Sequence, residues 1–277
     1  MNMNMNMNMN RIFKAFVAVL ACATMAMVIT SCSGDSHQGK LVVGFDQDFP
    51  PYGYVGDDGE FTGFDLDCAK EVCDRLGWEV EYKPINWDAK DLELSSGSID
   101  CIWNGFTIEG REDSYTFTDP YMDNSQVIVV KKDSGITTLA GLKDKTVMAQ
   151  ADSAALHLLE AGGDQEDLAK TFKKIQPVAD YNSAFLELES GSVDAVAMDL
   201  PVAKFQVSGK EDKFIILEGD PLSSEHYGVG FLKGNTQLRD QIQKVLEEMV
   251  ADGTVKKLCE KYGSMGISYD MWILGRP

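Results

Sequence analysis

Ser96-Gly97-Ser98-Ile99-Asp100 returns later in the chain as Ser190-Gly191-Ser192-Val193-Asp194. Each copy sits between a short amphipathic run and an apolar, strand-like run. Five common residues can recur by chance, but recurrence in the same structural context favours two related lobes.

Around the first copy, Leu41-Val42-Val43-Gly44-Phe45 reads as a buried strand. Tyr52 to Phe61 contains Asp58-Gly59, a hairpin signal. Asp65 to Leu76 places Leu66, Ala69, Val72, Cys73 and Leu76 at helical spacing, with Asp65 the expected N-cap and Gly77 the stop. Val80 to Lys83 is a second strand and Ile99 to Trp103 a third, a βαβ succession that predicts a parallel sheet flanked by helices. Around the second copy the scheme repeats. Lys145 to Ala149 is a strand, Ser153 to Glu160 a helix, and Phe172 to Val178 contains another strand. Ser183 to Glu189 is helical and Val193 to Ala197 closes the set.

Two further strands, Gln126 to Val130 and Tyr227 to Leu232, stand where one lobe gives way to the other and are the candidate hinge. The tail from Leu238 to Tyr262 is an amphipathic helix interrupted at Gly253. The expected organisation is a leader at 1–32, a linker at 33–37, lobe one at 38–128 plus 228–277, and lobe two at 131–225.

The leader has its own signature. Arg11 and Lys14 precede an uncharged apolar run from Ala15 to Ile29, closed by Thr30-Ser31-Cys32. A bilayer span needs about 20 apolar residues, so the run is too short. A Cys directly after small residues resembles the lipobox of bacterial lipoproteins, which implies lipidation at Cys32 and anchoring on the extracytoplasmic face of the cell membrane. An ordinary secretory peptide cut nearby is the alternative. The Met-Asn alternation over residues 1–10 is a low-complexity start with no partner pattern elsewhere in the chain. The chain carries 25 basic against 44 acidic residues. That balance argues against nucleic acid, whose binding demands clustered Lys and Arg. Beyond Cys22 and Cys32, the cysteines are Cys68, Cys73, Cys101 and Cys259, without CxxC spacing. Buried free thiols are expected, with a Cys73–Cys101 bridge left open. His37, His157 and His226 stand alone, so no zinc site or other cofactor is expected.

In open parallel sheets ligands bind beyond the carboxyl ends of the strands. The predicted strands run into Asp46 and Phe49, into Asn86-Trp87, into Asn104-Gly105-Phe106-Thr107 with Arg111 just beyond, into Gln150-Ala151-Asp152-Ser153, and into Met198-Asp199. One forked cation, hydroxyls, an acid and aromatic faces are the parts that hold a zwitterion. Arg grips a carboxylate bidentately, an acid pairs with an ammonium, and aromatic rings flank an apolar or cationic stem. Each residue also has a plainer reading. Arg111 could be a solvated charge beside Glu112 and Asp113, Asp199 could cap the next helix, and Phe49 and Trp87 could be core. The shared placement at strand ends favours the joint reading.

These residues lie in stretches that resemble the solute-binding proteins of ABC-type polar amino acid importers. The stretches are Gly44-Phe45-Asp46-Gln47-Asp48-Phe49-Pro50-Pro51-Tyr52, Phe61 to Asp67, Asn104 to Arg111, Phe117 to Tyr121 and Met198 to Pro201, and the resemblance spans residues 38–263. It implies an α/β, two-lobed periplasmic-binding-protein fold of type II, joined by two hinge strands and closing around a free amino acid. It further implies that the protein is no enzyme, works as a monomer and delivers its ligand to the membrane permease subunits of an ABC importer. By position, Arg111 would clamp the ligand carboxylate, with Thr107 and Ser153 in support. Asp199 and the Gly105 backbone would take the ammonium, beside Asn104. Phe49 and Trp87 would flank the side chain, and Asp46 would face its polar end. Three departures stand out. The stretch from Gly105 to Arg111 is one residue shorter than the common pattern. Ala151-Asp152 replaces small residues, with Asp152 expected to point to solvent. Val80 occupies the place where some relatives carry a disulfide partner for Cys73, so that bridge is expected to be absent. A dehydratase-like enzyme on the same fold is the competing class. It would need a free general acid or base in the cleft, and Asp199 is already committed to the ammonium. A signalling ectodomain would need a membrane span after the lobes, and none is read up to Pro277.

Overall fold

The computed structural model describes residues 39–276. The expected leader, the lipidated Cys32 and the linker at 33–37 lie outside the described residues. Strand β1 (Lys40–Phe45) runs into a small antiparallel sheet of β2 (Asp48–Phe49), β3 (Gly53–Val55) and β4 (Phe61–Thr62). Helix α1 (Phe64–Leu76), β5 (Glu79–Pro84), α2 (Lys90–Ser95), β6 (Cys101–Ile102) and β7 (Tyr115–Phe117) follow. The long β8 (Met122–Lys131) leads to β9 (Thr146–Gln150), α3 (Ala154–Leu159), α4 (Glu166–Ala169) and β10 (Lys174–Val178). Next come α5 (Tyr181–Ser190), β11 (Ala195–Asp199), α6 (Leu200–Val207) and β12 (Phe214–Ile216). The chain returns through β13 (Ser223–Tyr227) and β14 (Gly230–Leu232) to α7 (Thr236–Ala251) and α8 (Thr254–Lys261).

Two larger sheets result, in the orders β5-β1-β6-β14-β7 and β10-β9-β11-β8-β12, with β13 also on β8. In each, the first strand of the lobe lies between the second and third and runs parallel to both. An antiparallel strand comes next, β14 in one sheet and β8 in the other. The sheets are therefore mixed rather than purely parallel. The fold is α/β in two lobes. Two chain segments pass between the sheets, β8 and β13, and they pair antiparallel from Met122↔Tyr227 to Gln126↔Ser223. The long strand read at Tyr227 to Leu232 breaks at Gly228-Val229 and belongs to both β13 and β14.

The repeated pentapeptide builds the same device twice. Gly97 (φ 74°) and Gly191 (φ 81°) take the left-handed conformation just past a helix, which costs a residue without Cβ least. Ser98 N donates to Glu93 O and Ser192 N to Glu187 O, each at 3.0 Å. Asp100 Oδ2 then accepts from Val42 N at 2.7 Å, and Asp194 Oδ2 from Thr146 N at 2.8 Å. Each Asp thus ties the turn to the neighbouring first strand and fixes the start of the third.

Helix α1 is packed between β1 and β5 on one side and α7 and α8 on the other. This accounts for the burial of both Cys68 and Cys73 despite their different faces. Fully burying an aliphatic side chain contributes about 1.5–3 kcal/mol, and Leu66, Ala69 and Val72 are all at or near zero exposure. The four described cysteines are free and buried. One expectation fails: Asp65 is not the N-cap of α1. Gly63 (φ 147°) holds that position, where a Cβ would come within 2.2 Å of the Tyr52 carbonyl oxygen. Asp65 is instead fully buried, accepting from Gly105 N at 2.6 Å and from Tyr121 Oη at 2.8 Å. The tail is two helices, α7 and α8, divided at Gly253 (φ 81°).

Candidate functional site

The strand ends converge on one small cavity of about 280 Å³, counting the part open to solvent. Phe49, Trp87, Asn104, Gly105, Thr107, Arg111, Ser153 and Asp199 all line it, together with Gln150 and Ala154. Asp46 does not.

One wall is cationic. Arg111 follows Gly110 (φ 78°) in a tight turn closed by Arg111 N to Ile108 O at 3.0 Å. Its side chain is only 6% exposed, which removes the solvated-charge reading. Nη1 donates to Thr107 O and Nη2 to Asp152 O, both at 3.2 Å. The guanidinium carbon lies 5.1 Å from the Phe106 ring centroid. Burial lowers the Arg111 pKa, opposed by the charges of Asp152, Glu225 and Asp199. The fork has more donors than these two bonds use, and the remainder can serve an anion. Ser153 caps α3, its Oγ accepting from Leu156 N at 3.1 Å, and its hydroxyl lies beside that of the buried Tyr181. Thr107 is differently placed. Its hydroxyl donates to Glu225 Oε1 at 2.9 Å, so its single proton is turned away from the cavity while Glu225 is ionised.

The opposite wall is anionic. Asp199 stands in the cap position of α6 but makes no cap bond. Its Oδ1 accepts instead from Asn124 Nδ2 at 2.7 Å, Gln126 Nε2 at 2.8 Å and Tyr227 Oη at 2.6 Å. The same two amides donate to Glu225 Oε1 at 2.8 Å. Burial raises the pKa of both carboxyls, and the charge of Glu225 raises that of Asp199 further. A cation brought between them would relieve that cost. Gly105 N–H is committed to Asp65, so the carbonyl is the part of that peptide left to accept. Gly105 also has φ 58°, and a Cβ there would sit 3.0 Å from Phe49 and 3.2 Å from Tyr227. Asn104 lines the cavity; its Oδ1 accepts from Asp46 N at 3.0 Å, and its buried Nδ2 has no protein partner.

The third feature is a pair of flat faces. The Phe49 and Trp87 rings are parallel within 2°, with centroids 6.5 Å apart. Their parallel orientation suits recognition of a planar or cationic group, as aromatic faces do. Trp87 is braced edge-on by Phe106 at 5.6 Å.

Two placements differ from expectation. The Asp46 carboxylate accepts from Asp48 N at 2.8 Å and Gln150 Nε2 at 2.6 Å, so Gln150 stands between it and the cavity. Burial pushes the Asp46 carboxyl up to about 6. Asp152 does not point freely to solvent. Its carboxylate pairs with Lys90 and accepts from His157 at 2.8 Å. Burial pushes Asp152 up, but those bonds and charges outweigh it and hold the group at about 2. Sequence reasoning missed Lys90, Asn124, Gln126, Glu225 and Tyr227. Alternation along a strand could have flagged Asn124 and Gln126, which share a face of β8 at a spacing of two. Among the described residues no group of side chains has the make-up of a metal site, and no helix is long and apolar enough to cross a membrane.

Residues 41–265 match the sequence profile of the bacterial extracellular solute-binding proteins, family 3. The L-cystine-binding protein TcyJ of Escherichia coli strain K12 is 29% identical over 259 residues, covering 90% of this chain and 94% of that protein. An ABC uptake transporter substrate-binding protein from Streptococcus pneumoniae, solved with bound histidine, superposes with a TM-score of 0.77. It shares 31% identity, over 83% of this chain and 95% of the other. An ancestral arginine-binding protein bound to arginine gives 0.72 at 39% identity, over 81% and 98%.

Proposed function

The chain belongs to the bacterial extracellular solute-binding proteins of family 3, and from that premise we propose that it captures a free polar amino acid between its lobes for an ABC-type importer. The single observation that carries this reading is the polarity of the cavity. A buried Arg111 forms one wall and a buried Asp199 another, 5–6% exposed. A ligand with one carboxylate and one ammonium satisfies both; a simple anion or a simple amine satisfies one. Arg111 and Ser153 take the carboxylate, while Asp199 and the Gly105 carbonyl take the ammonium. Phe49 and Trp87 sandwich the side chain, which favours a flat polar or cationic group such as a guanidinium, imidazole or amide. A relative named for cystine and solved neighbours holding histidine or arginine support the ligand class without selecting a member.

Binding, rather than turnover, follows from the commitment of the acids. One oxygen of Asp199 and one of Glu225 are held by amide and hydroxyl donors, and the remaining Asp199 oxygen is the one assigned to the ammonium. Hinge movement about β8 and β13 would open and close the cleft, with lobe one at 38–128 plus 228–277 and lobe two at 131–225. Lipid attachment at Cys32 would hold a monomer beside the permease on the extracytoplasmic face. The test is a thermal-shift screen against the common amino acids, since a ligand that binds only the folded state raises Tm. At least one polar amino acid is expected to raise Tm, and Arg111→Ala to abolish the response. No response to any amino acid overturns the reading. For the anchor, mass spectrometry of membrane-extracted protein is expected to find diacylglycerol on Cys32, and Cys32→Ala to release the protein.

A further inference from the structure

Lys90 opens α2 and is only 1% exposed, yet it carries an ammonium. A buried charge without a partner is costly. Its Nζ donates to the Asp152 carboxylate, lies 3.4 Å from the Asp152 and Trp87 carbonyl oxygens, and stands 5.3 Å from the Trp87 ring centroid. Asp152 is itself unusual, a non-glycine residue at φ 57°. L side chains rarely adopt that region, and an outlier of this kind persists where its surroundings fix it. Three basic groups do so: Lys90 and His157 hold the carboxylate, and Arg111 holds the carbonyl at 3.2 Å. Helix α2 packs on the five-stranded sheet, whereas Asp152 lies two residues past the end of β9 in the six-stranded sheet. The ion pair therefore runs from one lobe to the other.

Its position beside the cavity matters as much as its span. Asp152 is the neighbour of Ser153 and touches Arg111, the two groups assigned above to the ligand carboxylate. An unpaired carboxylate there would repel the ligand. Resting on that assignment, we propose that Lys90 is a positioning and specificity-determining residue. It neutralises Asp152 and holds it out of the anion subsite, and the same ion pair fastens the lobes over the bound amino acid. Lys90, Asp152, Arg111 and the ligand carboxylate then form an alternating series of charges. Ligand release requires parting Lys90 from Asp152.

The test titrates wild type, Lys90→Met, Asp152→Gly and the double variant with L-arginine, L-histidine, L-glutamine and L-cystine. Calorimetry gives affinity and stopped-flow gives dissociation. Glycine suits φ 57°, so Asp152→Gly removes the charge without straining the turn. Lys90→Met is expected to weaken binding about tenfold or more, mainly through faster dissociation, because it leaves a partly buried carboxylate unpaired. Adding Asp152→Gly is expected to recover the part of that loss caused by the unpaired carboxylate, with dissociation still faster than in wild type because the ion pair between the lobes is gone. If the double variant binds no better than Lys90→Met, Lys90 is merely structural and the inference falls. It also falls if Lys90→Met binds like wild type. Should Lys90→Met not fold, Asp152→Asn decides, with faster dissociation expected and unchanged dissociation overturning the proposal. Wild type that binds none of these four is titrated with the remaining common amino acids, and binding to none of them overturns the reading of the site and this inference with it. Wild-type binding with an unaffected Lys90→Met overturns the inference alone.

Discussion

Asp65 gives a stability test with a defined sign. Its carboxyl is fully buried; one oxygen accepts from Gly105 N and Tyr121 Oη, and the other has no partner. Burial raises its pKa from 3.8 to about 7, against the lowering effect of the Gly105 and Tyr121 hydrogen bonds. In the unfolded chain the group returns to about 3.9. Between those values the folded protein holds a proton that the unfolded chain has released, so stability falls as pH rises through this window. For this group alone, linkage puts the loss between pH 5 and pH 8 at roughly 2–3 kcal/mol. Asp46, raised to about 6 by burial, acts in the same direction, while Asp152, held at about 2, is fully ionised across the interval. Asp65→Asn keeps an acceptor for both donors and removes the titration. Urea unfolding, followed by fluorescence of the buried Trp103 and Trp272, should show wild type less stable at pH 8 than at pH 5. The variant should lose about 2–3 kcal/mol of that difference. A wild type whose stability is flat or rises over the interval, or a variant with the same slope, refutes the reasoning.

Three further outcomes concern the site. Arg111→Ala should weaken amino acid binding by roughly 2–5 kcal/mol, the usual effect of deleting one partner of a buried charge pair. The ligand-free Tm should move only a few degrees, because an expensive buried cation leaves with its bonds; calorimetry and a thermal melt read both. Gly105→Ala should weaken binding and lower Tm together, since the new Cβ would press on Phe49 and Tyr227 at φ 58°, with left-handed backbone alone costing about 1–2 kcal/mol. A melt unchanged from wild type would contradict it. Affinity should fall on acidification through the raised carboxyl range of Asp199 and Glu225, because protonation removes the ammonium's partner. Asp199→Asn should bind poorly at every pH, and a wild-type affinity that is constant from pH 8 to pH 5 would oppose this.

The sequence carried the parts of this molecule that depend on local pattern. The echo at Ser96 and Ser190 marked two lobes because a glycine past a helix and an Asp beside a strand impose the same geometry wherever they recur. The strand-end rule gathered Arg111, Asp199, Ser153 and both aromatic residues, since side chains at the ends of parallel strands share one edge of a sheet. What stayed hidden depends on distant partners. Asp65 looked like a cap because Asp before an apolar helix usually is one. Nothing local showed that Gly63 had already filled that place or that Gly105 would need an acceptor. Lys90 and Asp152 are far apart in sequence, and neither stretch says that the lobes bring them together. The assignment of Asp46 to the ligand missed Gln150, a residue from the other lobe that stands in the way.

The central claim is that one cavity reads both charges of an amino acid. Isothermal titration of the protein lacking residues 1–32 tests it with three matched ligands: an amino acid, its decarboxylated amine and its deaminated acid. L-arginine, agmatine and the guanidino acid without the α-amine form such a set, with L-histidine and L-glutamine as alternatives. One-to-one saturable binding is expected for at least one amino acid, with both truncated analogues weaker by about a hundredfold or more, as expected when a buried charge is left unpaired. An analogue that binds as well as its parent, or no binding by any amino acid, contradicts the account.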